Sequence, residues 1–90
     1  MYNYRVVLSE RFKKEFKKLD RYTQKFLKAW IEKNLENTDN PRSKGKGLTA
    51  NRSGQWRYRI GDYRLICLIQ DEELVILALT VGRRDKVYKE

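Results

Sequence analysis

Three extended runs close this chain, and the short segments between them restrict how they can be arranged. Gln55–Ile60 alternates in polarity, Tyr63–Gln70 is largely apolar, and Leu74–Val81 is almost continuously so. Gly61-Asp62 is a two-residue turn of the kind that joins antiparallel neighbours into a hairpin. Asp71-Glu72-Glu73 reads as a charged turn between the next two runs. The result is a three-stranded meander. The unbroken apolar character of its last strand predicts a central position, covered on at least one face by helices.

What precedes the meander can supply those helices. Tyr4–Leu8 is a short β-branched run, and Ser9 reads as a helix N-cap. Phe12, Phe16 and Leu19 then fall at i, i+4 and i+7, giving one apolar helical face. Asp20 reads as the cap of a second helix from Arg21 to about Asn37, with an apolar stripe of Tyr22, Phe26, Leu27, Trp30, Ile31 and Leu35. So short a connection predicts an antiparallel helical hairpin. Pro41 and the polar cluster before it end the second helix. Residues 42–54 read as a loop with at most a short turn. The expected fold is α+β in the order β-α-α-β-β-β: a small antiparallel-rich sheet with a helical hairpin on one face and a short basic C-terminal tail. Ninety residues, 40% of them hydrophobic, suffice for one domain spanning residues 1–90 and leave no room for a second core.

A net charge of +9 and a sequence pI near 9.9 predict attraction to nucleic acid, an acidic protein or an anionic membrane. The membrane option is weakest, because Leu65–Ile69 and Leu74–Leu79 fall far short of the roughly 20 apolar residues a spanning helix needs. The N-terminus lacks the apolar run of a signal peptide. The lone Cys67 has no partner for an internal disulfide, which fits a reducing cytoplasm. A cytoplasmic location is therefore expected.

Strand alternation sorts the charges. Trp56, Tyr58 and Ile60 share one face of their strand, while Arg57 and Arg59 share the other. Arg64 follows the tight turn and is placed to join them. From Pro41 to Arg64 there are seven basic residues and one acid, Asp62. The tail adds Arg83, Arg84 and Lys86, with Tyr88 close by, and tyrosine offers both a stacking ring and a hydroxyl. The lysines of the first two helices read mostly as a solvated face. Cys67 reads as core. Asp71, Glu72 and Glu73 lack the partners of a metal site, and Gly45-Lys46-Gly47 lacks phosphate-loop spacing. No metal, cofactor or small-molecule ligand is expected. The chain contains no histidine, so any phosphodiester chemistry must run on Arg, Lys and Tyr.

The stretch from Trp56 through Gly61-Asp62-Tyr63-Arg64, with Val81-Gly82-Arg83-Arg84 and Tyr88 at the end, resembles the RelE/ParE superfamily of bacterial toxin–antitoxin toxins, and the RelE branch most. The resemblance spans essentially the whole chain. It implies a ribosome-dependent endoribonuclease that cuts mRNA and arrests translation, with rRNA, mRNA and a cognate antitoxin as partners. It implies that Arg64 stabilises the transition-state phosphate, that Arg84 assists the leaving group, and that Tyr88 stacks on or orients the substrate nucleotide. Arg57 and Arg59 stand where relatives carry two lysines, one of them proposed as general base. Arg83 stands where many carry histidine.

Arginine stays protonated at any ordinary pH, so Arg59 supplies charge and not a proton acceptor. The base is then Tyr88, Lys44 or Lys46, an rRNA group, or no strong protein base at all. Arg64, Arg84, Tyr88 and Arg59 are the catalytic candidates. Arg57, Lys44, Lys46, Arg52, Arg83 and Lys86 are the RNA-binding candidates. The expected chemistry is metal-independent attack of the 2′-hydroxyl on the adjacent phosphorus. A ParE-like inhibitor of DNA gyrase and a non-catalytic RNA-binding module are the rival expectations.

Overall fold

The computed structural model describes residues 3–84. Its elements are β1 (Arg5–Leu8), α1 (Glu10–Lys17), α2 (Arg21–Asn34), β2 (Lys46–Gly47), a 3₁₀ turn (Ala50–Arg52), β3 (Gln55–Ile60), β4 (Tyr63–Gln70) and β5 (Val75–Arg83). They form an α+β fold around one five-stranded sheet of order β1-β5-β4-β3-β2. β1 runs parallel to β5, and the other pairs are antiparallel. The apolar last strand is thus flanked on both sides, as its composition predicts.

Both helix starts follow from their caps. Ser9 Oγ accepts from the Phe12 N–H at 3.0 Å, and Asp20 accepts from the Thr23 N–H at 3.2 Å. Each satisfies a donor that the first turn leaves orphaned. Gln24 closes the hairpin, donating to the carbonyls of Phe16 at 3.0 Å and Leu19 at 2.9 Å. α2 ends at Asn34, three residues earlier than its periodicity suggests. The reason is Asn37: it adopts φ 65°, and its N–H donates to the Tyr4 carbonyl at 2.9 Å, which draws the chain away to β1.

Phe12, Leu27, Ile31 and Leu35 meet Tyr58, Ile60, Leu65, Cys67, Ile76 and Ala78 in the core between helices and sheet. Two members of the expected α2 stripe are not in it. Tyr22 is 77% exposed and Phe26 43% exposed, while Thr23 takes a buried position. The 42–54 segment also differs from a plain loop, since it contributes β2 and the 3₁₀ turn. β5 starts one residue later than expected because Leu74 sits in the left-handed region at φ 55°, which no strand residue adopts.

Carboxylates close the sheet's exposed edges. β1 reaches only Ala78 of β5; beyond it, Glu15 accepts from the Val81 N–H at 2.9 Å and the Thr80 hydroxyl at 2.7 Å. On β1 itself, Glu36 accepts from the Val6 N–H at 2.9 Å. At the opposite end of the sheet, Arg42 donates to both oxygens of Asp71 at 3.0 Å, and Tyr4 Oη donates to one of them at 2.7 Å. The Arg42 guanidinium, with the Tyr4 hydroxyl beside it, holds the Asp71 carboxyl below the ordinary aspartate range. A lowered carboxyl contributes stability that is complete above its unfolded value, about pH 3.9, and is lost as pH falls through the folded one. The pair is about half exposed, so the contribution is modest. Asp71→Asn is expected to be slightly less stable than wild type at neutral pH and equal to it at about pH 2. Urea titrations at the two pH values check this, and a gap persisting in acid would refute it.

Candidate nucleic-acid interface

Directly paired residues in an antiparallel ladder project from the same face. Trp56–Cys67–Ala78, Tyr58–Leu65–Val81 and Ile60–Tyr63–Arg83 are the rungs on the helix side. On the other face lie Lys46–Arg57–Ile66 and, two residues along, Arg59–Arg64–Gly82. Each of these rungs sets two like charges directly opposite one another, an arrangement that costs up to about 1 kcal/mol per pair. Among the described residues no carboxylate forms an ion pair with Lys46, Arg57 or Arg59. The Arg57 Nε is buried with no hydrogen-bond partner, although a buried polar group ordinarily finds one. A face that keeps such an arrangement suits an external polyanion.

Arg64 differs from its neighbours in depth. It is 5% exposed, and its Nη1 donates to the carbonyls of Tyr63 at 3.1 Å and Gly61 at 3.4 Å. The β3–β4 turn therefore holds this guanidinium in a set direction. Its cross-strand partner on β5 is Gly82, which has no side chain. Arg84 is exposed at the same end of the sheet, where its N–H donates to the Asp62 carbonyl at 3.0 Å. Arg59, Arg64 and Arg84 are thus brought together by the ends of β3, β4 and β5.

Lys44, Lys46, Arg57 and Arg59 line a cleft of about 400 Å³ with Gly45, Tyr58 and Trp30. The loop that forms one wall is fastened to β3. Trp56 Nε1 donates to the Lys44 carbonyl at 2.7 Å, and Tyr58 Oη donates to the Pro41 carbonyl at 2.5 Å. Burial pushes the Tyr58 phenol far above its ordinary value, so this hydroxyl stays protonated and structural. Gly45 makes the approach possible. It adopts φ +86°, and a Cβ there would lie 2.3 Å from the Arg57 carbonyl and 2.6 Å from Trp56 Nε1. Neither Gly45 nor Trp30 figures among the sequence-derived candidates. Gly45 carries no phosphate-loop signature, and Trp30 fits the apolar stripe of α2.

Two RNA-binding candidates stand apart. Arg83 lies on the helix side, its guanidinium 6.0 Å from the Tyr63 ring centroid, in a second cleft with Arg11, Glu15 and Lys18. Arg52, in the 3₁₀ turn, contacts Gln55 at 3.4 Å. It lies beyond the start of β3, and the four steps from Gln55 to Arg59 span roughly 13 Å. Tyr88 and Lys86 lie outside the described residues. Cys67 is fully buried, and burial pushes its thiol far above the usual range. It is not a nucleophile for this face. Among the described residues no helix is long and apolar enough to cross a membrane.

Comparison with known proteins places this mixed sheet with its helical hairpin in a class of small toxins. Residues 6–88 match the family described as ParE toxin of type II toxin–antitoxin system, parDE, and the chain belongs to that family within the RelE/ParE superfamily. An Escherichia coli protein described as a RelE-like toxin is 29% identical over 83 residues, covering 92% of this chain and 85% of its own length. The toxin–antitoxin complex RelBE2 of Mycobacterium tuberculosis superposes with a TM-score of 0.82 at 26% identity, covering 91% of this chain and 99% of that one. The archaeal RelE–RelB complex of Pyrococcus horikoshii gives a TM-score of 0.70 at 25% identity, covering 94% and 99%.

Proposed function

We propose that this toxin is a ribosome-dependent endoribonuclease that cleaves mRNA. The observation that carries the reading is the Arg59–Arg64–Gly82 rung with Arg84 following it, which gathers three arginines at one end of the sheet. The 2′-hydroxyl oxygen gives up its proton and bonds to phosphorus while the P–O5′ bond breaks and the 5′-oxygen takes up a proton, giving a 2′,3′-cyclic phosphate and a 5′-hydroxyl. Charge growing on the phosphoryl oxygens meets Arg64 and Arg59 through charge-assisted hydrogen bonds. Arg84 stands by the leaving oxygen, and Tyr88 orients the nucleotide.

Arg57 and Arg59 hold the backbone and accept no proton. The acceptor of the 2′-hydroxyl proton is Lys44 or Lys46, which line the same cleft, Tyr88, or an rRNA group. Without a strong base, much of the acceleration comes from holding the 2′-oxygen in line with the leaving group. A ribosome gripping the message supplies that alignment. Lys44, Lys46 and Arg57 bind the RNA backbone in this reading, while Arg52, Arg83 and Lys86 add charge at its margins.

The match to the ParE family favours one rival, inhibition of DNA gyrase without RNA cleavage. Primer extension on mRNA after induction, beside a gyrase supercoiling assay with purified protein, separates the two. Cuts within codons and unaffected supercoiling support the nuclease; intact messages and blocked supercoiling overturn it. The partner that restrains the toxin is an antitoxin, as in the RelB complexes it resembles, with an acidic segment matching the +9 chain and speeding capture.

A further inference from the structure

Tyr22, Phe26 and Trp30 follow one another at intervals of four along α2, which sets them in a row on one flank of the helix, about 6 Å apart along its axis. The first two are well exposed. The row leads to the cationic face. The Phe26 ring lies against Gly61, 3.3 Å from where a Cβ would stand, in the turn between the strands of Arg59 and Arg64. Trp30 packs on Tyr58 with ring centroids 5.8 Å apart and forms a wall of the Lys44–Arg59 cleft.

Glu32 and Lys28 of α2 line the groove toward β1, as does Glu36 just past the helix. Lys25 and Lys33 fall three residues after Tyr22 and Trp30, beside the aromatics.

We propose that Tyr22, Phe26 and Trp30 form a stacking track for the bases of single-stranded RNA flanking the Arg59–Arg64 rung, with the strand's phosphates held by Lys44, Lys46 and Arg59. The inference rests on the RNA reading of that face and adds a surface to it. Every base has a π-face, so stacking on such a track is tolerant of sequence. An aromatic row, exposed at Tyr22 and Phe26, that leads into a cationic cleft suits a polyanion with aromatic bases.

The test is binding of a fluorescein-labelled 2′-O-methyl oligouridylate, roughly 12 nucleotides long to match single-strand site sizes, against an abasic oligomer of equal length. Tyr22→Ser and Phe26→Ser, both at exposed positions, are each expected to weaken the base-bearing oligomer about tenfold and to leave the abasic one unchanged. Base-bearing RNA should also quench tryptophan fluorescence in wild type and much less in Trp30→Phe. Equal weakening of both oligomers, or of neither, overturns the proposal. So does a loss of self-association or antitoxin capture with RNA affinity intact, which assigns the row to a protein. The probe lacks the attacking hydroxyl, so base-dependent binding persisting where primer extension finds no cuts would sink the cleavage reading alone.

Discussion

Arg64→Ala is expected to reduce mRNA cleavage in translating ribosomes by about 10²–10³-fold, the usual effect of losing one fixed donor to a developing oxyanion. The size follows from how the side chain is held. Its guanidinium is buried and bonded to the Gly61 and Tyr63 carbonyls, so its direction is set before substrate arrives and little reorganisation remains for the reaction. Arg59, exposed on the neighbouring strand, has more freedom to lose, and Arg59→Ala should have a smaller effect. Because Arg64 also steadies the β3–β4 turn, each variant's thermal midpoint must be measured beside its activity. Full cleavage by folded Arg64→Ala removes this residue from the mechanism.

Gly45→Val is expected to destabilise the fold by about 3 kcal/mol or more. A β-branched residue at φ +86° is strained on its own, and here its Cβ would also overlap the Arg57 carbonyl. β2 would have to leave β3, taking Lys44 and Lys46 from the cleft. Gly54→Ala is the control. Gly54 has φ +92° with nothing within 4 Å of where a Cβ would stand, so only backbone strain applies, about 1 kcal/mol. Urea unfolding of the pair measures the difference, and equal losses would show that the loop does not depend on this close approach.

Features set by local chemistry were legible in the sequence. Ser9 and Asp20 cap their helices, Gly61-Asp62 turns β3 into β4, and β4 spans Tyr63–Gln70 as its pattern indicates. Features set by distant contacts were not. Helical periodicity groups Tyr22 and Phe26 with Leu27 and Ile31, yet a flank beside the core and the core itself differ only in what packs there. β2 is two residues long and exists because Gly45 can approach Arg57. Alternation placed Arg57, Arg59 and Arg64 on one face correctly, but depth is not periodic, and Arg64 is buried where Arg59 is exposed. Arg83 shows the same alternation at work: one residue past Gly82 of the cationic face, it lies on the helix side against Tyr63.

Cys67 sits at the centre of β4, between the Trp56 and Ala78 positions of the flanking strands, and it is the chain's one thiol. A thiol reagent can reach it only when the helices lift from the sheet or the strands separate, and β3 and β4 carry Arg57, Arg59 and Arg64. The rate of labelling therefore clocks the opening of the scaffold that holds the cationic face, with no probe to be introduced. Bound to RNA or to an antitoxin, the toxin should label more slowly in proportion to how firmly that partner ties the strands together.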